Sequence, residues 1–153
     1  MVAGSFALWT YAFSGLAKKD PPDTLADKAY AAAAETLCAP YRAYVDALPP
    51  APASKTPVDR AVVLGDATEA LTEMVASLRT TGPDNAADQY IVAKWLADWD
   101  QYIADRTAYR DVLATGTDAK FVLTSTDGEI YTKSMDNLAT VNAMTSCGTP
   151  GDV

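Results

Sequence analysis

Apolar positions recur at helical spacing along most of this chain, and the pattern breaks wherever proline or glycine clusters. The first break is Pro21-Pro22. Thr24 with Asp27 three residues on resembles a capping box, and predicts a helix through the alanine run 31–34 and Cys38. Pro40 should kink or split that helix, with 41–48 resuming it before the stiff Pro-Ala connection 49–54. A second helix starts more clearly. Thr56 sits at the N-cap, Pro57 at the first position and Asp59 at the third. It should run to about Thr81, with Val63, Ala67, Ala70, Leu71, Met74 and Leu78 on its apolar side. A third, capped by Asn85 with Asp88, should reach Ala114, with Gly116 as its C-terminal glycine.

The period then changes. Residues 120–124 and 129–132 are rich in strand formers around Asp127-Gly128, which predicts a β-hairpin packed on the helices. A last short helix is expected over 134–144. The fold class that follows is mainly α: an antiparallel helical bundle with a small β-hairpin and one N-terminal apolar helix.

That N-terminal element is the uncharged run at residues 2–17, closed by Lys18-Lys19. It divides the chain into an anchor-like or signal-like segment, 1–19, and a soluble helical domain, 20–153. At about 1.5 Å rise per residue the run is near the lower limit for crossing a membrane. A membrane anchor is the leading reading. The others are a cleaved signal peptide, without a basic n-region, and a core helix apolar on all faces. The two lysines after the run would leave the domain in the cytoplasm by the positive-inside rule. Cys38 and Cys147, the only cysteines, point the other way, to an exported domain with one disulfide. A basic segment upstream of Met1 would reconcile them, and an in-frame stop codon upstream would exclude it.

Composition narrows the chemistry. The 153-residue chain has a formal net charge of -8, which disfavours nucleic acid as a partner. It contains no histidine, so histidine-based acid–base catalysis, the Ser-His-Asp triad and histidine-ligated zinc are excluded. Two cysteines cannot form a four-cysteine zinc site. No glycine spacing matches a phosphate loop. Ser54-Lys55 lies in a proline-rich linker, a poor place for a catalytic dyad. The turn at 125–129 reads better as a hairpin than as a calcium loop. No cofactor or metal is implied.

The richest stretch is KWLADWDQYIADRTAYRD, residues 94–111. At 100° per residue, Ile91, Trp95, Trp99, Tyr102, Tyr109 and Leu113 share one stripe, while Asp100 and Asp111 point away. Asp98 and Asp105 lie on one shoulder, each four residues before a tyrosine, a spacing that allows carboxylate–phenol contacts with Tyr102 and Tyr109. Arg106 falls in the middle of the stripe. It must stack on aromatics or meet a carboxylate. The acidic ridge of the second helix, Asp59, Asp66, Glu69 and Glu73, is the expected partner; a pocket for an anionic or aromatic ligand is the alternative. Glycoside hydrolysis needs carboxylates about 5–9 Å apart across a cleft. Asp98 and Asp105 are two turns apart on one helix, about 10 Å by rise.

The short apolar run, its Lys18-to-Thr24 exit, the segment 95–109 and the Cys147-to-Val153 tail together resemble uncharacterised membrane-anchored proteins of actinobacteria. The resemblance implies an extracytoplasmic helical domain on one anchor. It brings no activity or catalytic residues. The function expected is a non-catalytic, membrane-anchored interaction or accessory module, docked in the membrane by residues 2–17 and meeting a protein partner. The alternatives are a small-ligand-binding domain using the Trp95, Trp99, Tyr102 and Arg106 face, and a carboxylate-based hydrolase.

Overall fold

A computed structural model describes residues 23–125 and 130–153. The apolar run at 2–17 and the Asp127-Gly128 turn lie outside the described residues. Four α-helices make up the described chain: α1 (Lys28–Ala47), α2 (Pro57–Leu78), α3 (Ala86–Ala114) and α4 (Tyr131–Val141). Single 3-10 turns occur at Ala51–Ala53 and Thr145–Cys147. No described helix is long and apolar enough to cross a membrane.

The helices α1, α2 and α3 run antiparallel to their sequence neighbours. Arg60 stacks on Tyr109, Thr68 meets Arg106 and Arg79 meets Asp100, so positions rising along α2 pair with positions falling along α3. Likewise Tyr41 of α1 reaches Ser77 near the end of α2, while Val45 and Leu48 lie with Val63 and Leu64 near its start. The main core is built from the faces these helices turn inward, including Ala31, Ala34, Leu71, Met74, Leu78, Trp95 and Trp99.

Two caps form as expected. Thr56 and Asp59 make a reciprocal capping box, and Asn85 accepts from the Asp88 backbone. Gly116 takes φ +83°, a left-handed conformation suited to glycine, and donates to the Leu113 carbonyl. Elsewhere the boundaries move for identifiable reasons. The cap of α1 is Asp27 and not Thr24. The backbone N–H of Leu25 goes to the Asn142 side chain, and those of Ala26 and Asp27 go to the Asp88 carboxylate. Donors that a first helical turn would leave open are therefore taken by distant side chains. The span of α1 continues through Pro40, an exposed position. Three residues earlier than expected, α2 ends at Leu78, and its last carbonyls accept from Thr80 and Thr81 in tighter turns.

The hairpin is a correction. No β-strand occurs among the described residues, and Tyr131 and Thr132 open α4 instead of a strand. The period-two signal at 121–123 is nevertheless real. Phe121 and Leu123 pack on the core while Val122 is exposed. The segment lies across α3 as a cover. Its Thr124 N–H, which a β-ladder could have used, donates to the Asp105 carboxylate.

Asn142, just past α4, holds the start of the domain. Its side chain accepts from Leu25 N and donates to the Asp23 and Leu138 carbonyls. Replacing Asn142 with alanine strands a buried backbone donor, which costs about 1–3 kcal/mol. Chemical denaturation should read that loss as a lower midpoint with an unchanged slope.

Candidate functional site

Arg106 decides what the aromatic stripe is. Its side chain is 0% exposed. The guanidinium makes a two-pronged ion pair with Asp152, Nη1 to Oδ1 at 2.7 Å and Nη2 to Oδ2 at 2.6 Å. Nε donates to the Thr68 hydroxyl at 3.1 Å, and Nη1 also donates to the Tyr102 hydroxyl at 3.2 Å. Both hydroxyls pass their own protons on, Thr68 to the Leu64 carbonyl and Tyr102 to the Pro150 carbonyl. The Arg106 guanidinium also lies over the Tyr102 ring, 5.4 Å from its centre. Burial works against its charge, but Asp152 and Tyr102 more than offset this and hold its pKa above the usual arginine value. Burial raises the Tyr102 phenol, and the Arg106 charge offsets part of that.

The expected partner is corrected. Arg106 does meet α2, through Thr68, but not the acidic ridge. Asp59, Asp66, Glu69 and Glu73 are all exposed. Asp59 serves the α2 capping box. Asp66, Glu69 and Glu73 line a shallow trough with Tyr41 and Tyr44, toward α1. The ridge and Thr68 lie on different sides of α2.

Asp152 comes from the C-terminal tail, which is strapped over the bundle. Cys147 forms a disulfide with Cys38 of α1. Glu35 accepts from the Ser146 backbone and hydroxyl. Arg42 donates to the carbonyls of Gly148 and Thr149, and Asp136 of α4 accepts from the backbone and hydroxyl of Thr149. The Tyr102 bond to Pro150 then leads to Asp152. Three helices thus deliver one carboxylate to a buried cation.

The aromatics are fully packed. Trp95 and Trp99 meet edge-on at 6.4 Å, Trp99 and Tyr102 at 5.7 Å, and Tyr102 and Phe121 at 6.1 Å. Tyr109 packs on Phe121 and donates to the Ala119 carbonyl. The indole N–H groups of Trp95 and Trp99 are buried without a partner among the described residues.

Asp98 and Asp105 do not work as a pair, and neither bonds the tyrosine four residues on. Asp105 is a hub for the cover segment. It accepts from Gln101, from the Thr124 N–H and hydroxyl, and from the Tyr131 hydroxyl at 2.5 Å. Burial alone would raise its pKa, yet these bonds hold it below the ordinary 3.8. Burial, with this same contact, raises the Tyr131 phenol. Asp98 stands apart in a small groove with Tyr90, Lys94, Trp95 and Leu138, and burial raises its pKa despite Lys94.

A depressed carboxyl contributes stability above its unfolded-state pKa and loses it as pH falls through the folded value. Asp27 and Asp88 are also held below 3.8: Asp27 by backbone donors from Tyr30 and Asp84, Asp88 against burial by Asn85 and the backbone of Asp27 and Ala26. Stability should therefore fall below about pH 4. An Asp105→Asn variant should be about 1–3 kcal/mol less stable than the parent at neutral pH. It should approach the parent near pH 2, which urea melts across that range would read.

Sequence reasoning missed the cover segment and the tail as parts of this constellation. No protein-family profile, curated protein or solved structure matches the chain.

Proposed function

We propose that this chain is a non-catalytic interaction or accessory module, carried on the extracytoplasmic side of a membrane by residues 2–17 and meeting a protein partner. The observation that carries this is the burial of Arg106, Trp95 and Trp99, with Arg106 paired to Asp152 of the strapped tail. The stripe that looks most like a site is spent on packing. A ligand-binding role for that face would call for an open cleft and an unpaired Arg106. A carboxylate hydrolase would call for two acids converging in a cleft, whereas Asp105 is taken up by its donors and Asp98 stands alone.

Export is supported by the Cys38–Cys147 bond, since disulfides persist in oxidising compartments. The resemblance to anchored actinobacterial proteins belongs to the same reading. Crosslinking in native membranes, followed by purification of the chain, tests it. The expected result is recovery in the membrane fraction, with the disulfide formed and one protein enriched reproducibly. A reduced, fully soluble chain without a partner would contradict it.

A further inference from the structure

One partly apolar hollow lies away from the aromatic stripe. It is a groove of about 330 Å³ between the end of α1, the Pro49–Pro52 turn, the start of α2 and the tail. Val45, Leu48, Val63 and Leu64 are among its apolar lining, and Arg60 also lines it. Val153 lines it too, as do two side-chain carboxylates, Asp46 and Asp152. Both are already paired, with Arg42 and Arg106. Arg60 has no ion pair among the described residues. It is held in place by the Tyr109 ring, 5.0 Å from the guanidinium carbon. Asp118 borders a separate hollow that Arg60 also lines. In a strongly acidic protein, this groove therefore presents one open positive charge beside an aliphatic floor.

We propose that the groove binds a small aliphatic carboxylate, with its headgroup on Arg60 and its chain against Val45, Leu48, Val63 and Leu64. The charge match is one guanidinium to one carboxylate. The volume is at the lower end for small-molecule sites, about 300–1,000 Å³, which selects a short ligand. The proline wall has few conformations to lose, so the groove is largely pre-formed. This assignment stands apart from the anchored-module reading and survives its failure.

The test is an NMR titration of the disulfide-bonded protein with octanoate, and with octanamide as its uncharged counterpart. Octanoate should shift the amide signals of Val45, Leu48, Val63 and Leu64 and bind at least about tenfold more tightly than octanamide, the scale of a charge-assisted hydrogen bond. Arg60→Gln should abolish that preference and Arg60→Lys should keep part of it. Val63→Phe, which fills the groove and leaves Arg60 in place, should weaken both ligands. Equal affinity for the two ligands, shifts elsewhere on the protein, or undiminished octanoate binding by folded Arg60→Gln or Val63→Phe protein would overturn the assignment.

Discussion

Replacing Arg106 with alanine should lower the melting temperature by about 10–20 °C. Breaking a buried ion pair by removing one partner costs about 3–5 kcal/mol. For a domain of this size each kcal/mol moves the melting point by about 3–5 °C. The loss has several parts in this fold. The guanidinium fills space between α2 and α3, and its removal leaves the Tyr102 and Thr68 hydroxyls short of a donor and Asp152 short of a cation. Arg106→Met should cost less, because methionine refills much of the volume and Asp152, 25% exposed, can turn toward water. Asp152→Ala should be nearly as damaging as Arg106→Ala, since it strands a charge that is 0% exposed. Scanning calorimetry of the three variants checks this order. An unchanged melting temperature in Arg106→Ala would return that residue to the list of ligand-binding candidates.

Removing the disulfide should have an effect of the same size. Cys38 and Cys147 are 109 residues apart. Closing a loop of that length stabilises the fold by about 4–5 kcal/mol on the chain-entropy model, and measured values are often smaller. A Cys38→Ala/Cys147→Ala variant should therefore melt well below the parent, and a reducing agent should shift the parent but not the variant. The bond also holds the tail five residues before Asp152. Loosening it should raise the cost of keeping Asp152 on Arg106. Cysteine removal and Arg106→Ala should then be less than additive, as expected for changes within one connected unit.

The features legible in the sequence were those written locally. The Thr56-Pro57-Val58-Asp59 start, the Asn85 cap and Gly116 each complete their chemistry within a few residues, and each stands where expected. Arg106 was legible as an anomaly, a cation centred on an apolar stripe. Its partner was not, because an ion pair across 46 residues leaves no periodic trace. One signal could have found it. Once Cys147 is tied to α1, Asp152 is the only acid in the rest of the tail. The hairpin misled for a related reason. Alternation at Phe121, Val122 and Leu123 reports which side chains face inward, but not whether the backbone has a neighbouring strand. Asp105 took the Thr124 donor, and Tyr131 went to the same carboxylate. The start of α1 moved because Asp88 and Asn142, far away in sequence, claimed the backbone that Thr24 was expected to organise.

The central claim is that Arg106 and Asp152 are one buried pair, sealed by a clipped tail, and that the aromatic stripe is therefore core. A double-mutant cycle with Arg106→Met and Asp152→Asn, read by urea denaturation of the oxidised protein, tests it most directly. A coupling energy of at least about 1.5 kcal/mol is predicted for a charge-assisted pair in this setting. Additive effects, with coupling near zero, would mean that the two side chains do not meet in solution and that the stripe is open.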